Sequence, residues 1–132
     1  MSGETDLNRL LRSLTAKLDG GLYVFATLKD GAVPDGLSPR MMFREGEGTT
    51  LILLKDEADA HGLPYEFPCR MITLDVHSSL EAVGFIARIA SELAKAGMGV
   101  NPVAGFYHDH LFVPAGREEE ALSILARIAA NS

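Results

Sequence analysis

The sequence predicts an α+β fold in which helices cover one face of an antiparallel sheet. An alternating run (Arg70 to Val76) and a short apolar run (Leu111 to Pro114) read as strands, and apolar residues at three- and four-residue steps lie between and after them. Glycine and proline punctuate the joins. The order from Arg70 onward is therefore β-α-β-β-α, a split β-α-β plan short of its final strand. Both helices must bury their stripes on the same face of the sheet, because only there do those stripes find a partner.

In chain order, Thr5 to Leu18 reads as a helix, with Leu7, Leu10, Leu11, Leu14 and Leu18 on one side and Gly20-Gly21 as its stop. Leu22 to Leu28 is strand-like through Tyr23, Val24, Phe25 and Thr27. Lys29 to Pro39 carries three turn-forming clusters and reads as a loop. Arg40 to Arg44 and Thr49 to Leu54 form a hairpin around Glu45-Gly46-Glu47-Gly48, followed by a short helix, Asp56 to His61, that ends at Gly62.

Ile72, Leu74 and Val76 alternate with Met71, Thr73 and Asp75 in the next strand. Ser78 and Glu81 have the spacing of a reciprocal helix-capping pair, which predicts a helix to Ala96 that buries Ala82, Ile86, Ile89 and Leu93. A second hairpin, Val100 to Tyr107 and Leu111 to Pro114, turns around His108-Asp109-His110. The last helix, Arg117 to Ala130, buries Ala121, Leu122, Leu125 and Ile128, and Glu118 to Glu120 suit the positive end of its dipole. Residues 40–62 repeat the strand, strand, helix pattern more crudely, which divides the chain into units 1–68 and 69–132.

Composition narrows the function. The chain has 132 residues and net charge −6, and its twelve basic residues are scattered, which argues against a phosphate-backbone groove and a nucleic-acid partner. Cys69 is the only cysteine, so no intrachain disulfide is expected and a reducing interior suits it. The start, Met1-Ser2-Gly3-Glu4-Thr5-Asp6, lacks the basic-then-apolar pattern of a secretory signal, and no apolar run suits a membrane span. A cytoplasmic location is expected. Nothing matches a phosphate-cradling glycine loop or a nucleophile–base signature, so no cofactor and no catalysis are expected.

The run Met71-Ile72-Thr73-Leu74-Asp75-Val76, its loop His77-Ser78-Ser79-Leu80, the helix from Glu81 and the passage Ala96-Gly97-Met98-Gly99-Val100-Asn101 together resemble the ACT domain. That domain is a small ligand-binding module of amino-acid metabolism. Val76 to Gly84 and Ala104 to Pro114 are similar to a branch of small bacterial proteins with two ACT-like units in tandem and no enzyme attached. Tyr23 to Thr27 and Phe43 to Leu51 are similar to that branch's N-terminal unit. The resemblance implies two ferredoxin-like ACT-type units, a homodimer, and a regulatory protein that binds an amino acid. Asp75 is followed by Val76-His77-Ser78-Ser79, where the usual ACT loop has Pro-Gly.

Candidate ligand residues fall in two segments. Asp75, His77, Ser78, Ser79 and Leu80 lie ahead of the predicted helix, whose free N–H groups suit a carboxylate; Ser78 and Glu81 also serve simply as caps. Asn101, Pro102 and Val103 open the following strand, which in ACT dimers tends to face the loop of a neighbouring unit. An amide such as Asn101 can both donate and accept. His108 and His110, with the Asp109 carboxylate, are conceivable metal ligands and would anchor a rival reading as a metal-dependent enzyme, but a polar hairpin tip is the default reading. A ligand-free interaction module is the other rival. Cys69 reads as a packing residue.

Overall fold

The computed structural model describes residues 6–132. Two compact units emerge: Gly21–Cys69 is continuous, whereas the other joins the described part of Met1–Gly20 to Arg70–Ser132. The division at 68/69 read from the repeat thus differs from the spatial one, because the opening segment packs with the C-terminal half.

In this split unit the first helix is short. Helix α1 runs Leu7–Arg12; the Asp6 side chain accepts from the Arg9 N–H at 2.9 Å at its start, and the Ser13 hydroxyl donates to the Arg9 carbonyl at 2.8 Å at its end. Strand β1, Ala16–Leu18, follows where the leucine spacing predicted more helix. The helix predicted over Thr5 to Leu18 is therefore corrected, and Thr5 lies outside the described residues. Lys17 and its neighbours instead pair antiparallel with strand β5, Glu66–Leu74, in the register Ala16↔Leu74 and Leu18↔Ile72.

Helix α3 (Phe85–Lys95), strand β6 (Asn101–Ala104), strand β7 (Asp109–Pro114) and helix α4 (Glu118–Ala130) complete the split unit. Strand β7 lies between β5 and β6, so the sheet order is β6-β7-β5-β1. The missing final strand of the plan is thus supplied from the beginning of the chain. Ile72, Leu74, Leu111 and Val113 point into one core with Leu10, Leu11, Phe85, Ile89, Leu93, Leu125 and Ile128, so α1, α3 and α4 cover the same face. Met71, Thr73, His110 and Phe112 alternate with these strand residues and occupy the other face.

In the continuous unit, strands β2 (Tyr23–Leu28), β3 (Met41–Glu45) and β4 (Gly48–Leu54) and helix α2 (Lys55–Ala60) precede the start of β5. Their order, β3-β4-β2-β5, is the same plan in unpermuted form. Gly48 is required at the turn: its φ is 155°, and a Cβ there would stand 2.8 Å from the Leu28 carbonyl oxygen. Residues 29–40 replace the first helix. Their loop is tied down by Ser38 N–H donating to Glu57 at 2.9 Å and by Arg40 donating to the Tyr23 hydroxyl at 2.7 Å. Val24, Ala26, Leu51, Leu53 and Ala58 form this unit's core, backed by Val33 and Leu37 of that loop. Each unit is a ferredoxin-like ACT-type α+β unit, and the fold is duplicated.

Candidate functional site

The capping reading of Ser78 and Glu81 is overturned. Helix α3 starts at Phe85, behind Gly84 in the left-handed region at φ 91°, and no side chain caps it. Ser79 accepts from the Glu81 N–H at 3.1 Å in a local turn, and the buried Ser78 hydroxyl donates to Asp109 at 3.2 Å. The segment 77–80 is therefore a loop held against the tip of the β6–β7 hairpin, and helix-dipole attraction for a carboxylate does not act there.

Two polar clusters result. On one, Asp75 pairs with Lys17 at 2.9 Å and lies 3.8 Å from His108 Nε2, while His108 Nδ1 is 3.4 Å from the Val76 carbonyl. The hydrogen bond and charge of Lys17, helped by His108, hold the Asp75 carboxyl below its usual range. On the other, burial pushes the Asp109 carboxyl up, opposed by the Ser78 hydrogen bond and by His110 and His108. His110 turns to the helix-free face, where Nδ1 lies 3.0 Å from the Thr73 hydroxyl. Gly105 makes the tip tight, because a Cβ there would meet the His108 carbonyl at 2.8 Å.

His77 carries a buried Nε2 with no hydrogen-bond partner, and its ring lies 5.6 Å from that of Tyr107, which packs edge-on against Phe106. Leu80, Val83, Phe106 and Tyr107 are all exposed on these two loops. Asn101, Pro102 and Val103 stand in the opposite direction along β6. Asn101 pairs with Phe112 and Val103 with His110, on the helix-free face, whereas the loop reaches the end marked by Ala104↔Asp109. Asn101 is thus about 10 Å along the strand from that end. The structure brings Asp75 and Ser78 together with His108 and Asp109, and holds 101–103 apart from them. The sequence reading gave Tyr107 no role and placed Asp109 in a polar turn; the in-facing alternation of Asp109 with Leu111 and Val113 is the signal for its burial.

Among the described residues, no group of three or more His, Cys, Asp or Glu side chains is placed to hold a metal ion. No helix among them is long and apolar enough to cross a membrane. Cys69 is buried, which pushes its thiol up to about 12, and its Sγ lies 3.5 Å from the Tyr23 carbonyl.

A duplicated ferredoxin-like sheet is a plan that many unrelated proteins share, and comparison specifies the family. ACT-domain family models match residues 2–70 and 66–127, and the chain belongs to the ACT-domain family, with two domains in tandem. ACT domains are regulatory modules that generally bind small molecules such as amino acids. Among solved structures, the chain is similar to a protein of unknown function from Vibrio cholerae, a possible transport protein, at 43% identity over 97% of this chain and 99% of that one, with TM-score 0.85. An Agrobacterium tumefaciens protein shares the fold at 22% identity, 88% and 89% coverage and TM-score 0.74. So does the regulatory subunit of aspartate kinase from Thermus flavus, at 13% identity, 87% and 97% coverage and TM-score 0.64. A search of the curated proteins finds no match.

Proposed function

We propose that this ACT protein is a non-catalytic cytoplasmic sensor that binds an amino acid reversibly. The ligand lies between residues 75–80 of one copy and residues 101–103 of a second copy in a homodimer. The observation that carries the reading is the buried, unpartnered Nε2 of His77, in a loop bordered by exposed Leu80 and Val83 and by the Phe106–Tyr107 pair. An orphaned imidazole nitrogen beside uncovered apolar surface is completed by a polar group arriving from outside the chain. Strand β6 is the end strand of its sheet, so a second copy has an open edge to approach. Because the loop and residues 101–103 point to different ends of β6 within one chain, the site joins them across copies. Binding regulates by favouring one assembly over another, which requires differential affinity for the two.

Thermal-shift measurements on the full chain with each of the twenty amino acids test this. At a hundredfold excess over Kd, one ligand class stabilises the protein by roughly 2.7 kcal/mol. No shift with any amino acid overturns the reading. The four exposed apolar side chains would then mark a surface for a partner protein, as in a ligand-free interaction module.

A further inference from the structure

The continuous unit holds a cleft that the ACT reading does not use. It has a volume of about 340 Å³ and is lined by Phe25, Thr27, Thr50, Pro64, Tyr65 and Glu66. Its origin is a mismatch of strand lengths. Strand β2 continues to Leu28, but its pairing with β5 ends at Phe25↔Glu66, so the side of Thr27 facing β5 has no neighbouring strand. Thr27 and Thr50 are paired across β2 and β4, and with Phe25 they face away from the core formed by Val24 and Ala26.

The wall beside this notch is strained. The β2–β5 register shifts between Tyr23 and Phe25, and two β5 residues, Phe67 and Pro68, oppose Val24 alone. Phe67 adopts φ 58°, in the left-handed region that a bulky side chain rarely enters. This conformation sets the Phe67 ring edge-on against Phe25, with centroids 5.8 Å apart. Pro64 and Tyr65 then form the opposite wall. Strain of this kind persists where the surroundings hold it, and it concentrates at ligand clamps.

Glu66 is the only charged residue in the cleft's lining. The Glu66 carboxylate is exposed and has no ion-pair partner among the described residues. Glu45 accepts a hydrogen bond from the Thr50 hydroxyl. The nearby Lys55 is already neutralised by Asp59 at 3.0 Å and lies 5.8 Å over the Tyr65 ring, so this ring already attracts one ammonium group. Aromatic walls beside one exposed carboxylate, the only charged group in the cleft's lining, favour an apolar body bearing a positive charge. A free amino acid is disfavoured relative to the amine, because the Glu66 carboxylate repels its carboxylate.

We propose that this cleft binds a small monocationic amine with an apolar, ring-sized body, its ammonium group at Glu66 and its body between Phe25, Pro64 and Tyr65. The test is NMR titration of the full chain with 2-phenylethylamine, its uncharged counterpart 2-phenylethanol, and L-phenylalanine. The amine should shift the amides of residues 25–27, 50 and 65–66 saturably in the millimolar range, with the alcohol roughly tenfold weaker. Glu66→Gln, a surface change, should reduce the amine to the affinity of the alcohol. The proposal is overturned by equal affinity for amine and alcohol, by an amine affinity indifferent to Glu66→Gln, by L-phenylalanine binding here as tightly as the amine, or by no saturable shift at these residues. Shifts confined to residues 75–80 and 101–103 belong to the sensor site and also count against it.

Discussion

The two units share one strand order yet secure it differently. The continuous unit follows its plan in chain order and substitutes a pinned loop, residues 29–40, for its first helix. The split unit keeps both helices of the plan, adds α1, and takes its fourth strand from the opposite end of the sequence. The lesson is that a sheet position is defined by pairing and burial and not by place in the chain. The start of β5 holds in one unit the fourth-strand position that β1, which precedes Gly20-Gly21, holds in the other.

The largest expected effect comes from removing residues 1–20. The split unit loses β1 and the buried Leu10, Leu11 and Leu14. At about 1.5–3 kcal/mol for each buried leucine, this approaches or exceeds the whole stability of an ordinary domain. Hydrogen exchange should show residues 70–132 losing protection; retained protection there would show that β1 is dispensable. Next is Leu111→Ala in the split core, expected to cost about 2–5 kcal/mol in a urea melt. In the continuous unit, Gly48→Ala places a methyl against the Leu28 carbonyl and should cost about 1–3 kcal/mol, with the β3–β4 hairpin opening first.

Much of this architecture was legible beforehand, for physical reasons. Alternation marked β5, a continuous apolar run marked β7, whose Leu111, Phe112 and Val113 are all buried, and helical spacing marked α4. Strand β1 was hidden because Leu14 and Leu18 continue the four-residue spacing of α1, so periodicity could not report the break at Ser13. The start of α3 was misplaced because Ser78 and Glu81 have capping spacing, while the Ser78 hydroxyl is drawn to Asp109, a partner 31 residues away. Pairing over that distance leaves no trace in local pattern. Of the site, residues 77–80 were legible as a loop; their convergence with His108 and Asp109 was not.

Smaller effects probe that convergence. Burial raises the Asp109 carboxyl above its unfolded value, so its ionisation costs stability increasingly as pH rises from the unfolded value and costs most above the raised one. Asp109→Asn should therefore be stabilising at neutral pH, and its advantage should shrink as pH falls through the raised value toward the unfolded aspartate value of about 3.9. Thermal melts across pH read this directly, and a mutant that is less stable at neutral pH contradicts it. The smallest perturbation is chemical. With its thiol pushed up to about 12 by burial, Cys69 should react with iodoacetamide at pH 8 only as fast as the continuous unit opens, whereas rapid labelling of the native protein would place it at the surface.

The most direct test of the sensor reading is hydrogen exchange on the full chain, with and without the amino acid that gives the largest thermal shift, alongside a light-scattering mass. The account predicts a dimer in which residues 77–80 and 101–103 gain protection together at a common ligand midpoint. Protection of one segment without the other, or protection of both in a monomer, would contradict it.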